Sequence, residues 1–241
     1  YEKQGWELYR IVDKEGQPVR FPVAVGNWLF ITDLVIGVKQ GDGVLNLFLD
    51  NEELSQWPYY SRNRDNGMLQ AIWFSQCFLK AIQALGLKVK IAHLNDWQTT
   101  LVAEYVKTAP YADAAAQLKI ITTIHNPEYQ GRYGSENFDL TGLPRSLYTS
   151  EGLEFWGDWA MLKALKSGLL AYAVSDTYAH EIQDDSNPAG HGLQGFFRSL
   201  GPRLRGALNG IDYRKWGFKE GQPRDKGYYR KALEEIARKE G

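Results

Sequence analysis

The stretch Leu118-Lys119-Ile120-Ile121-Thr122-Thr123-Ile124-His125-Asn126-Pro127-Glu128-Tyr129-Gln130-Gly131 decides how this chain folds. Its first seven residues are a short apolar, β-branched run, the pattern of a strand buried on both faces. The run ends in an imidazole, an amide and an aromatic-Gln-Gly turn. In an open parallel α/β sheet, ligands bind beyond the carboxyl ends of the strands. His125 therefore stands where a substrate would sit. The alternative is a loop histidine that merely satisfies its own hydrogen bonds.

Outward from this stretch, strands alternate with helices. Residues 87–92 alternate apolar and basic and read as a strand, 99–107 as a helix, and the run before His125 completes a βαβ unit. Upstream, Met68, Ile72, Cys77, Ala81, Ile82 and Leu85 recur at helical spacing, with Gly86 placed to end the helix. The opening third reads as short strands at 19–25, 34–38 and 44–49, separated by Gly26-Asn27 and Gly41-Asp42-Gly43. Downstream, 159–170 and 177–183 read as helices, 184–188 as a loop, and 228–239 as an amphipathic helix with a solvated face. The whole predicts an α/β layered, Rossmann-like domain with a mainly parallel sheet.

Composition excludes several classes. The chain has 241 residues, enough for one large domain, with 44% apolar and 24% charged residues. A net charge of −1 supplies no general attraction to nucleic acid or anionic lipid. No run of about 18 apolar residues predicts a membrane span, and the first residues lack the layout of a signal peptide. The single cysteine, Cys77, lies among Trp73, Phe74, Phe78 and Ile82 and reads as a core residue, which suits a reducing compartment. No His/Cys spacing reads as a metal site. Gly190-His191-Gly192-Leu193-Gln194-Gly195 matches G-x-G-x-x-G by letter, but it follows a loop rather than a strand, so NAD binding is rejected.

Three segments fall at strand ends and carry hydrogen-bonding groups suited to hydroxyls: His93 to Thr99 with Asp96, Thr123 to Asn126 with His125, and Leu208 to Asp212 with Asn209. Asp96 is either an N-cap of the next helix or a ligand residue, or both. Asn209 before Gly210 is either a turn residue or a ligand residue. His93 and His180 have no matched partners and read as structural or exposed. Glu151, Glu154 and Asp158 suggest paired carboxylates for glycoside hydrolysis, although a solvated loop-to-helix junction is the simpler reading.

Six stretches in this order, LNDWQTTL (94–101), TTIHNPEYQGRYG (122–134), EGLEFWGDWAMLKA (151–164), VSDTYAHEIQ (174–183), GHGLQGFFR (190–198) and LNGIDYRKW (208–216), resemble bacterial glycogen synthases and plant starch synthases. Residues 47–53 and 65–67 resemble more diverged parts of the same domain. The resemblance implies a retaining glycosyltransferase that adds glucose from ADP-glucose or UDP-glucose to an α-1,4-glucan. It implies a two-domain GT-B fold of which this chain is one half, the acceptor-side domain, over 1–241, with 217–241 connecting toward a C-terminal domain. His125 is implied as the active-site histidine, contacting the donor glucose with its backbone carbonyl toward the anomeric centre. Asp96 and Asn209 are implied as sugar ligands, with Tyr60, Trp97, Asn126 and Tyr129 as further cleft residues. Trp216 and Tyr133 belong with them as shaping and acceptor contacts.

No metal or cofactor is implied, since protein cations hold the leaving group. The setting is cytoplasmic, or plastid in a plant or alga. Three departures from the family stand out. A Lys-x-Gly-Gly-Leu-Gly-Asp stretch is absent, so is the C-terminal domain, and the strand near 169–175 looks clipped. These lead to three expectations: negligible transfer by the chain alone, marginal stability because a lost first strand weakens the sheet's middle, and a partner bearing the missing half. A non-catalytic glucan-binding scaffold and a carboxylate glycosidase are the competing readings.

Overall fold

The computed structural model describes residues 6–38, 44–56, 64–108, 110–112 and 117–210. The chain divides into two compact units, Tyr1–Ala207 and Leu208–Gly241. Of the second, only 208–210 are described. The expected helix at 228–239, the connection at 217–241, Tyr60 and Trp216 lie outside the described residues.

The first unit opens with β1 (Glu7–Arg10), β2 (Arg20–Val25), β3 (Trp28–Val38) and β4 (Asn46–Asp50), an antiparallel sheet. β3 pairs with β1 and β2 in succession on one edge and with β4 on the other. β3 begins six residues earlier than the expected strand at 34–38. Gly26-Asn27 is the reason: Val25 pairs with Trp28 across it, and only its first residue has a positive φ of 56°. This is a two-residue turn of the kind that needs glycine first, so the return strand starts at once. The apolar Leu29 and Ile31 face outward and hide the alternation from a sequence reading.

The inner face of this sheet carries Phe21, Val23, Val25, Phe30 and Leu34 against α1 (Arg64–Ala84). Burial of these side chains is the main stabilising term. Polar groups at the interface are matched: Trp73 Nε1 donates to Thr32 Oγ1 at 2.9 Å and Gln76 Nε2 to the Ala24 carbonyl at 2.8 Å. Gly86, at φ 60°, ends α1 as expected. The N–H groups of Gly86 and Leu87 return to the carbonyls of Gln83 and Ile82, the paired bonds of a Schellman cap.

Cys77 is fully buried on α1 beside Thr32, and burial pushes its thiol up to about 12. It is expected to resist a thiol reagent at pH 8 until the chain unfolds, because the thiolate is the reacting species. Prompt labelling of the folded protein would contradict this packing.

The chain continues through β5 (Ile91–Asn95), α2 (Val102–Tyr105), β6 (Lys119–Ile124), β7 (Arg132–Gly134), β8 (Glu154–Phe155), β9 (Asp158–Ala160), β10 (Leu170–Ala173), α3 (Asp176–Glu181), α4 (Gln194–Ser199) and β11 (Leu204–Gly206). β5, β6, β10 and β11 form a parallel sheet in spatial order β11-β10-β6-β5, and β7, β9 and β8 form a small antiparallel one. The expected α/β class stands, with the parallel sheet carrying the strand that ends at His125.

Three element expectations are corrected. The strand at 87–92 lies instead at Ile91–Asn95. The apolar alternation changes phase at Ile91-Ala92, so that Ala92 and Leu94 are the buried positions, and the boundary is set by the partner strand, which begins at Lys119. The helix at 99–107 shrinks to the four residues of α2, entered through a 3-10 turn at Trp97–Thr99. The helix at 159–170 is β9, a 3-10 segment Met161–Ser167 and the start of β10. Trp159 through Leu165 are all buried, which leaves no polar face for an amphipathic helix. Buried Lys163 reaches the carbonyls of Ser150 and Glu154. β10 spans only the four residues Leu170–Ala173 and pairs with β6 on one side and β11 on the other.

Candidate active site

β5 and β6 are neighbours in register, with Asn95 opposite Thr123, so the residues after each strand emerge side by side. Asp96 donates its backbone N–H to the Thr123 carbonyl at 2.9 Å, one rung beyond the end of β5. Its carboxylate Oδ1 accepts the backbone N–H of His125 at 2.8 Å. The His125 ring Nε2 lies 3.1 Å from Asn95 Oδ1. Main chain and imidazole of His125 are thus both held from the β5 end, while the side chain stays exposed to solvent.

The N-cap alternative for Asp96 is overturned. The following 3-10 turn receives no side-chain cap from it, because the carboxylate is turned to the neighbouring strand end. Asp96 has φ 55° and ψ −179°, a conformation populated almost entirely by glycine. Such strain costs about 1–3 kcal/mol and concentrates at functional sites. Thr99 braces the turn, its hydroxyl accepting from the Asn95 N–H at 3.0 Å and donating to the Asn95 carbonyl at 2.9 Å. Burial raises the Tyr178 phenol pKa, with the carboxylates of Glu181 and Asp96 adding to it.

The loop after His125 forms the second half of the site. Asn126 Oδ1 accepts the Glu128 N–H at 2.9 Å, a side-chain turn that bends the chain. Gly131, at φ 59°, presses its backbone on the Trp97 indole, where a Cβ would collide with the ring. Its carbonyl and that of Gln130 accept the N–H groups of Met161 and Leu162. Gln130 is buried and donates to the His191 carbonyl at 2.8 Å. Between these parts lies a cavity of about 410 Å³, walled by Trp97, Tyr129, Arg132, Tyr133 and His191 among others. Trp97 and Tyr133 meet at 6.2 Å between ring centroids.

The structure brings together Asp96 and His125 at one strand-end rim, and Trp97 and Tyr129 at the cavity. Asn126 serves as the turn between them. Asn209 is exposed and belongs to the second unit. Arg132 and His191 were missed by sequence reasoning. The signal for His191 was its place in the glycine-rich loop, where it adopts φ 47° between Gly190 and Gly192. His93 is exposed, with its Nε2 2.7 Å from Thr123 Oγ1.

The acidic cluster is spoken for. Asp158 pairs with Arg132 at 2.8 Å, Glu151 with Lys166, and Glu154 Oε1 accepts the Gly157 N–H at 2.7 Å. A glycosidase would need two of these carboxylates facing a substrate. Among the described residues no group of three or more His, Cys, Asp or Glu could hold a metal ion, and no helix is long and apolar enough to cross a membrane.

Comparison with known proteins gives three findings. The family described as the starch synthase catalytic domain matches residues 2–199. A glycogen synthase of Fervidobacterium nodosum is 35% identical over 228 residues, which is 89% of this chain and 43% of that protein. One of Thermosipho melanesiensis is 41% identical over 150 residues, 60% of this chain and 30% of that protein. Among solved structures, the catalytic domain of starch synthase IV from Arabidopsis thaliana bound to ADP and acarbose superposes with a TM-score of 0.75 at 22% identity, covering 87% of this chain and 42% of that one. The chain thus spans less than half the length of these relatives.

Proposed function

Given that the chain belongs to the starch synthase catalytic domain family, we propose that it supplies the acceptor-side wall of a glucan synthase cleft. There glucose passes, with retention, from ADP-glucose or UDP-glucose to the non-reducing end of an α-1,4-glucan. The observation that carries this reading is the Asp96 carboxylate holding the His125 main chain at 2.8 Å where two parallel strands end. Transfer develops positive charge at the anomeric carbon, and a dipole that does not reorganise stabilises it best. The carbonyl of His125, on a backbone fixed from both strands, is such a dipole. Asp96 and the exposed imidazole bind hydroxyls of the same hexose.

The cavity beside this rim takes the acceptor. Its walls set the rings of Trp97, Tyr129 and Tyr133 beside the polar Glu128, Gln130, Arg132 and His191, a mixture that suits a sugar's apolar ring faces and hydroxyl edges. ADP and acarbose bound to the Arabidopsis enzyme support a nucleotide donor and a sugar acceptor here. A cytoplasmic setting, or a plastid one in a plant or alga, accompanies the reading, as does a donor-binding half supplied by further sequence or by a partner chain.

Acceptor binding by the 241-residue chain is the direct test. Titration calorimetry with maltotriose should show binding, and Tyr129→Ala should weaken it about five- to tenfold with the melting temperature unchanged. Tyr129 suits this because it is 57% exposed and contributes little to the core. Absence of maltotriose binding, or full affinity in Tyr129→Ala, would reject the reading.

A further inference from the structure

Trp156 is 79% exposed, at the tip of the hairpin formed by β8 and β9. Phe155 pairs with Asp158, so Trp156-Gly157 is a two-residue turn, with φ 54° and 79°. Positive φ at both positions marks the turn type that prefers Asn-Gly. A tryptophan there is unfavourable twice over, through its left-handed backbone and through the apolar surface it exposes. Packing does not account for it, and unexplained strain at an exposed site points to function.

The hairpin is also held firmly. The Gly157 N–H donates to Glu154 Oε1 at 2.7 Å, and the Tyr148 hydroxyl donates to the Gly157 carbonyl at 2.7 Å. Phe155 lies under the Arg132 guanidinium, 5.1 Å from ring centroid to Cζ, and its far edge faces Gly192. Arg132 is itself a wall of the cavity, tied to Asp158 at 2.8 Å. Phe155 meets Trp156 nearly edge-on at 6.4 Å. A continuous line of contacts therefore runs from the cavity wall through Phe155 to the exposed indole.

We propose that Trp156 is an outer subsite for the glucan, a rigid platform that stacks on a sugar ring of a chain extending beyond the cavity. The occupant is an α-1,4-glucan longer than the cavity accommodates. Its pyranose rings present flat C–H faces that match an indole, which offers a large contact area at little entropic cost. This rests on the reading of the cavity as the acceptor site.

The test compares maltose with maltoheptaose, by calorimetry on the 241-residue chain and its Trp156→Asn and Trp156→Tyr variants. Asparagine suits the turn, so Trp156→Asn should melt no lower than the original chain, which removes misfolding as an explanation. It should bind maltoheptaose about tenfold more weakly and maltose equally well, whereas Trp156→Tyr should stay near the original affinity. Unchanged maltoheptaose affinity in Trp156→Asn, alongside weakened maltotriose binding in Tyr129→Ala, overturns the outer subsite alone. An original chain that binds no maltooligosaccharide overturns it together with the acceptor reading.

Discussion

Asp96→Ala and Asp96→Gly chains should both lose maltotriose binding, by about tenfold or more, but should differ in stability in the order opposite to the usual one. Either substitution removes the carboxylate that accepts the His125 N–H, a hydrogen bond to a charged group that contributes about 1.5–3 kcal/mol. Alanine leaves the backbone at φ 55°, ψ −179° as strained as before, whereas glycine adopts that conformation freely. Asp96→Gly should therefore be about 1–2 kcal/mol more stable than Asp96→Ala in urea unfolding. Asp96→Asn keeps the acceptor oxygen and leaves the backbone strain as it is with aspartate, so it should preserve the loop and report on charge alone. If alanine proved as stable as glycine, the strained conformation would be wrong. Were maltotriose binding intact in both, the grip of the carboxylate on the loop after His125 would have no part in shaping the acceptor cavity.

Gly206→Ala should cost more than any other single methyl group in the first unit. Gly206 closes β11 where the backbone of Ser175 and Asp176 turns into α3, and a Cβ would overlap that backbone. A flexible side chain could swing away, but main chain cannot without separating α3 from β11. The Ser175 cap, whose hydroxyl accepts the Tyr178 N–H at 2.9 Å, would be disturbed with it. The expected loss is about 4 kcal/mol or more, at the upper end for overpacking. That corresponds to roughly 8–16 °C in melting temperature for a chain of this size. A melting point within about 2 °C of the original would contradict this close approach of β11 to the start of α3.

Much of this was legible beforehand, for local reasons. The apolar run before His125 could only be a buried strand, and Gly86 after the α1 periodicity could only be a cap, because both signals lie within a few consecutive residues. Residues 159–165 were unreadable by that route. Their uniform burial erases periodicity, and their backbone bonds run to Gln130 and Gly131, some thirty residues away. The acidic cluster misled in the same way, since Arg132 and Lys166, which engage Asp158 and Glu151, are distant in sequence.

From the residue order alone came the α/β class, the strand ends as the place for chemistry, and His125 and Asp96 as groups to watch. Tertiary structure alone decided that Asp96 grips the His125 main chain instead of capping its own turn, and that Trp156 stands exposed on a braced hairpin. The physical reason is range. Periodicity, caps and turns are written in neighbouring residues, whereas the meeting of residues 96 and 125 follows from the register of β5 against β6, in which Asn95 lies opposite Thr123.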